Sequence, residues 1–136
     1  MANLTMVASG KFRVLESIIQ DTQIAAEAID AGEAVRYDTS TGKFTGANGS
    51  SAAEARIYGL AKSTVAAGMP LTAIRKGVVD GWDVSAKAYD LAIYLSDTDG
   101  TLADSAGTVS VIVGRVIPAN SQTLGTAADK VLFVDL

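Results

Sequence analysis

Clusters of Gly, Asp, Asn, Ser and Thr interrupt this 136-residue chain at residues 38–42, 46–51, 77–81, 97–100 and 120–125. The segments left between such turn signals are short, and short segments of this kind form strands of a sheet rather than a helical bundle. Residues 34–37 run into a turn and resume at Phe44; residues 57–61 are apolar; Leu71-Thr72-Ala73-Ile74 alternates before Gly77-Val78-Val79. Residues 91–95, 109–117 and 131–134 are rich in β-branched and aliphatic side chains, which suit a half-buried pleated surface. Pro70 and Pro118 fall at segment ends, where a missing N–H disturbs no ladder. The expectation is an all-β, single-domain barrel.

Two places leave helix and strand open. Phe12, Leu15, Ile18 and Ile19 are spaced for one face of a helix, and residues 24–29 are rich in Ala and Glu. Ser51 followed three residues later by Glu54 is a capping box, so one or two short helices at most are expected. A weak repeat also runs through the chain. Ile29-Asp30-Ala31-Gly32 before Val35 matches Val65-Ala66-Ala67-Gly68 before Leu71, and residues 92–97 repeat the strand and Asp-Thr turn of residues 34–38 in degenerate form.

Composition narrows the chemistry. The chain has neither Cys nor His, so disulfides, thiolate nucleophiles and the commonest acid/base group are excluded. The Asp97-Thr98-Asp99-Gly100 run lacks the remaining ligands of a Ca²⁺ loop and fits a hairpin turn, Gly42-Lys43 lacks the rest of a phosphate loop, and Asp80 and Asp83 flank Gly81-Trp82 with nothing to mark them as convergent. No enzyme activity, metal or cofactor is expected. A net charge of −4 disfavours nucleic acid as a partner, no stretch reaches the length of a membrane span, and the start of the chain lacks the cation and apolar run of a secretory signal.

The first 20 residues differ from the rest. Lys11 and Arg13 outnumber Glu16 there, and Leu4, Met6 and Val7 extend the apolar pattern. Residues 1–20 therefore read as an arm that lies along another protein, and residues 21–136 as the β-rich domain. Trp82, the only Trp, is either an interface anchor or a cap on one end of the barrel.

The run Ala31-Gly32-Glu33-Ala34-Val35 before a Tyr-Asp turn, then Tyr58-Gly59-Leu60-Ala61, Ala67-Gly68-Met69-Pro70-Leu71 before Arg75-Lys76-Gly77, Ile93-Tyr94-Leu95-Ser96-Asp97 and Val113-Gly114-Arg115-Val116 resembles the capsid decoration (cement) proteins of tailed bacteriophages. The pattern departs at Asp90, where many relatives carry Ala-Gly before the strand. The resemblance implies a barrel or tulip-like sheet with an extended N-terminal arm, made in the host cytoplasm and assembled as a homotrimer on the outer surface of the virion's icosahedral head. Its partner there would be the major capsid protein, and it would stabilise the expanded shell against DNA pressure. Within it, Phe12, Arg13 and Leu15 are the expected capsid contacts, and Trp82, Val109, Val111 and Val113 the expected trimer contacts. A tail-tube or fibre-base subunit is the alternative, with a carbohydrate-binding module behind it. An arm that only lies on a partner predicts that deleting residues 1–20 spares the fold.

Overall fold

The computed structural model describes residues 2–6, 12–119 and 130–136. The turn expected at 120–125 and arm residues 7–11 lie outside them. Among the described residues nine strands form one antiparallel sheet: β1 (Arg13–Ile24), β2 (Ala34–Tyr37), β3 (Phe44–Gly46), β4 (Ile57–Ala61), β5 (Pro70–Asp80), β6 (Ala92–Leu95), β7 (Leu102–Ala103), β8 (Ile112–Pro118) and β9 (Lys130–Asp135). Their order is β3-β2-β4-β5-β9-β8-β6-β7, with β1 along the opposite edge of β5. The fold is all-β, a sheet curled into a half-barrel. Its two ends meet through loop hydrogen bonds: Gly49 N–H to Ser96 O (2.7 Å), Gly100 N–H to Ala47 O (2.8 Å) and Ala34 N–H to Gly100 O (3.0 Å).

The capping box closes a single turn. Ser51 Oγ accepts the Glu54 N–H at 3.4 Å and Ser51 O accepts the Ala55 N–H at 3.0 Å, but Ile57 already belongs to β4 and no helix follows.

The sequence repeat is a structural one. Ile29 and Val65 pair with each other, each donating its N–H to the other's carbonyl (3.0 and 2.9 Å), and each then leads through a glycine of positive φ, Gly32 (89°) or Gly68 (85°), into β2 or β5. The degenerate copy goes further. The pairs Tyr37↔Phe44, Ala34↔Leu60 and Leu60↔Ile74 recur as Leu95↔Leu102, Ala92↔Arg115 and Arg115↔Phe133. The Gly32 N–H to Ala61 O bond (2.8 Å) recurs as Asp90 N–H to Val116 O (2.7 Å). Strands β2–β5 and β6–β9 are thus two copies of one four-stranded unit. Asp90 stands where the first copy has Gly32 and is the only described non-glycine residue of positive φ (64°).

The copies pack with unlike faces together. Ala34, Ile57 and Leu60 of the first copy share a core cluster with Ile93, Leu102, Val116 and Leu132 of the second. The first-copy counterparts of that second set, Val35, Phe44, Ala61 and Ala73, form a separate cluster closed by Ala25 and Ile29.

The N-terminal segment docks on its own chain. Leu4 is 5% exposed within the larger core cluster, its N–H bonded to Leu102 O (2.9 Å), and Asn3 accepts the hydroxyl of the fully buried Ser96 (2.6 Å). Asp83 N–H reaches Thr5 O at 2.7 Å. Strand β1 then pairs with β5 from Arg13 to Ile24, so it crosses position 20 without a break.

Turn carboxylates set the acid limit of this fold. Hydrogen bonds from Tyr37, Ser40, Ser85, Thr108 and Lys87 hold Asp21, Asp38, Asp83, Asp97 and Asp104, respectively, below the ordinary aspartate value of 3.8. Groups with lowered folded values contribute stability that is present above the unfolded value and lost as pH falls through the folded one. Glu33 has the opposite sign, because burial raises it above 4.5 and its ionisation opposes folding as pH climbs from there. Five against one, the expected result in urea titrations at stepped pH is a plateau between about pH 6 and 8, where no unperturbed side chain of this chain titrates, and a decline setting in below pH 3.8.

Candidate docking surface

Strand β1 is exposed along most of its length, and two of its exposed apolar side chains stand at bulges. Its register with β5 skips Leu15 and Ile18, which have no partner opposite them. A bulge residue bends its strand and re-aims its side chain; here Leu15 and Ile18 stand 48% and 53% exposed, beside Ile19 at 47%. The second half of β1 is regular from Gln20 to Ile24. The Tyr37 hydroxyl donates to Asp21 Oδ2 (2.5 Å), and the Thr22 and Thr72 hydroxyls meet at 2.7 Å. Burial and the neighbouring Asp21 push the Tyr37 phenol well up from 10.0.

The other sheet edges are covered. Ala25 lies opposite Phe44 of β3, whose carbonyl accepts the Ala26 N–H, and Asn3 lies opposite Ala103 of β7, with the Leu4 N–H bonded to Leu102 O. The outer edge of β1 has no strand beside it among the described residues. An uncovered edge presents unpaired N–H and C=O groups to any chain that can add a strand.

Beside β1 runs an outward row in register across five strands: Glu16, Val78, Phe133, Arg115 and Ala92. Two hollows open along it. One of about 560 Å³ lies among Arg13, Leu15, Val78, Ile117, Pro118 and Val131. Another of about 300 Å³ lies among Asp90, Ala92, Ile112, Arg115, Phe133 and Asp135. Its floor is Gly114, where a Cβ would strike the Phe133 carbonyl. The Arg115 guanidinium lies 6.0 Å from the Phe133 ring centroid, with Nε 3.4 Å from Asp90.

The residues singled out from sequence fall into three places. Leu15 is free on the surface. Arg13 is exposed but paired with Asp80 at 3.1 Å. Phe12 is half-buried, its ring so close to Gly32 and Gly81 that a Cβ on either would sit 2.9 or 2.8 Å from it. Trp82 is 7% exposed in the core cluster, its indole N–H bonded to Gly32 O at 3.0 Å, and Val113 is fully buried in the same cluster. Val109 and Val111 pack partly against it. Trp82 and Val113 are thus enclosed by their own chain and Val109 and Val111 are half-buried, while the strand that carries Val113 turns Ile112 outward, 54% exposed. Of the two readings of Trp82, packing within its own barrel is the one observed.

The acidic motifs are turns. Asp97 accepts the Thr108 N–H (2.8 Å) and hydroxyl (2.7 Å), Asp99 accepts Asn48 Nδ2 (3.1 Å), and Asp83 accepts the Ser85 hydroxyl (2.7 Å). Ile18, Ile19, Ile112 and Phe133 were not singled out as contacts. Strict alternation does not find Ile112, because Val113 and Gly114 are both buried between the exposed Ile112 and Arg115.

What this arrangement offers is surface: a strand edge that no described residue covers, with bulged apolar side chains, continuous with a hollowed outer face. No protein-family model matches the chain, and no curated protein matches it.

Proposed function

We propose that this chain is a capsid decoration protein of a tailed phage, which binds the outer surface of the expanded head as a homotrimer and stabilises the shell. The observation that carries the reading is the β1 edge that no described residue covers, with Leu15, Ile18 and Ile19 exposed, joined to the motif order that resembles the decoration family. Such an edge gains its partner by strand addition and side-chain insertion, which needs no catalytic group. A protein that binds the intact lattice and not a disrupted one stabilises it by its binding free energy. Three linked contacts raise one another's effective concentration.

The test is co-sedimentation with expanded heads. Leu15→Asp combined with Ile18→Asp is expected to weaken binding at least tenfold while the circular dichroism spectrum and melting temperature stay at wild-type values, because surface substitutions of this kind shift stability by about 0.5 kcal/mol or less. Wild-type binding by that double variant would remove β1 from the contact, and failure of the wild-type protein to bind heads would sink the reading.

A further inference from the structure

We propose that the outward face of the second copy, built from Ala92, Ile112, Arg115 and Phe133, is an interface that a second copy of this chain covers. The proposal deepens the trimer named above and rests on that reading only for the number of chains.

The first argument is the duplication. Ala34, Ile57, Leu60 and Ile74 occupy in the first copy the places that Ala92, Ile112, Arg115 and Phe133 occupy in the second. All four first-copy residues are buried, with Ile57 the most exposed at 8%, and three of them pack in the cluster shared with the second copy. The same face of the same unit is therefore closed once inside the chain and left open once, with Ile112 at 54% exposure. An apolar sheet face that one copy buries under protein is built to be buried.

The second argument is charge. Where the first copy has Leu60 the second has Arg115, 57% exposed, and it is flanked by Asp90 at 77% and Asp135 at 56%. A patch that carries a guanidinium beside Asp90 and Asp135, the latter also 3.9 Å from Lys76, offers both signs around Ile112 and Phe133, so in a closed ring Arg115 of one chain can meet an acid of the next. The third argument is backbone conformation. Asp90 keeps a left-handed φ of 64° at the position where the first copy uses glycine. Aspartate tolerates that conformation better than most side chains, and here it puts a carboxylate on the rim of the face, 3.4 Å from Arg115.

Multi-angle light scattering of the full-length chain through a dilution series reads the proposal directly. The wild type is expected at a mass of more than one chain, and Ile112→Asp and Arg115→Asp each at the mass of one chain. Both positions are exposed, so both variants are expected to keep the wild-type melting temperature measured at high dilution. A wild type that is a single chain at every concentration overturns the proposal, as does an association that both variants retain. Shell binding is scored separately: chains that associate through this face but ignore expanded heads would overturn the decoration reading alone. Chains that bind heads through β1 yet never associate would overturn this proposal and the homotrimer, and leave head binding standing.

Discussion

A chain that begins at residue 21 is expected to be unfolded, with a flat thermal transition and a far-ultraviolet spectrum without the strand minimum. This reverses the outcome expected of a free arm. Residues 1–20 include Leu4, whose burial in the main cluster makes its loss alone worth about 2–5 kcal/mol. The same deletion removes Asn3 from β7 and the buried Ser96, and it strips most of β1 from β5. A domain of this size has about 5–15 kcal/mol of stability in total. Removing residues 1–6 alone separates the two contributions: it is expected to lower the melting temperature sharply yet leave β1 paired. A truncation at residue 21 that melts like the full chain would show that β1 and the N-terminal latch are accessory.

Gly114→Ala and Gly59→Ala are expected to fail nearly as badly, and equally, since they occupy equivalent places in the two copies. A Cβ at Gly114 runs into the Phe133 carbonyl and one at Gly59 into the Ile74 carbonyl. Both obstacles are backbone in the paired strand, so relief means parting β8 from β9 or β4 from β5. Each substitution should cost about 3 kcal/mol or more, which for a chain of this length is a fall of roughly 10 °C in melting temperature. Gly68→Ala is the control. It meets nothing within 4 Å, and its φ of 85° alone predicts a loss of about 1–2 kcal/mol. Calorimetry that ranked Gly68→Ala as the worst of the three would refute the close-approach argument.

Much of the sheet was legible. Strands β2 and β4 have the bounds that alternation and turn signals assign, and β6, β8 and β9 lie within a few residues of theirs. Strand β5 reads as two pieces because Arg75-Lys76 breaks its apolar run. That is where β5 passes from β4 to β9, with Arg75 bulged against β1. The ambiguity over Phe12, Leu15, Ile18 and Ile19 has a definite origin. Two extra residues in β1 stretch a period of two into steps of three, and a twice-bulged strand imitates one face of a helix. Strand β7, two residues long, carries too little pattern to be seen. The docking face was harder. Phe12 and Trp82 look like interface anchors by residue type, and only the approach of Gly32 and Gly81 in three dimensions shows that their own chain encloses them. Nor does the sequence of residues 112–118 declare which side chains look inward, since Val113 and Gly114 are buried in succession between the exposed Ile112 and Arg115.

The packing of the two copies has a consequence for synthesis. Strand β9, near the C-terminal end, lies in the middle of the sheet order between β5 and β8, and its Leu132 and Val134 belong to the core that Ala34 and Leu60 face. A growing chain therefore completes its first copy well before the surface meant to cover it exists. At about 5–20 residues per second, the stretch from the end of β5 at Asp80 to the start of β9 at Lys130 takes roughly 3–10 s. For that time Ala34, Ile57 and Leu60 line an apolar sheet face open to solvent, and a ribosome-bound chaperone that shields aliphatic strands has a defined substrate there. Yield in the cell should then follow translation rate through the second copy, even for synonymous changes that leave the finished protein identical.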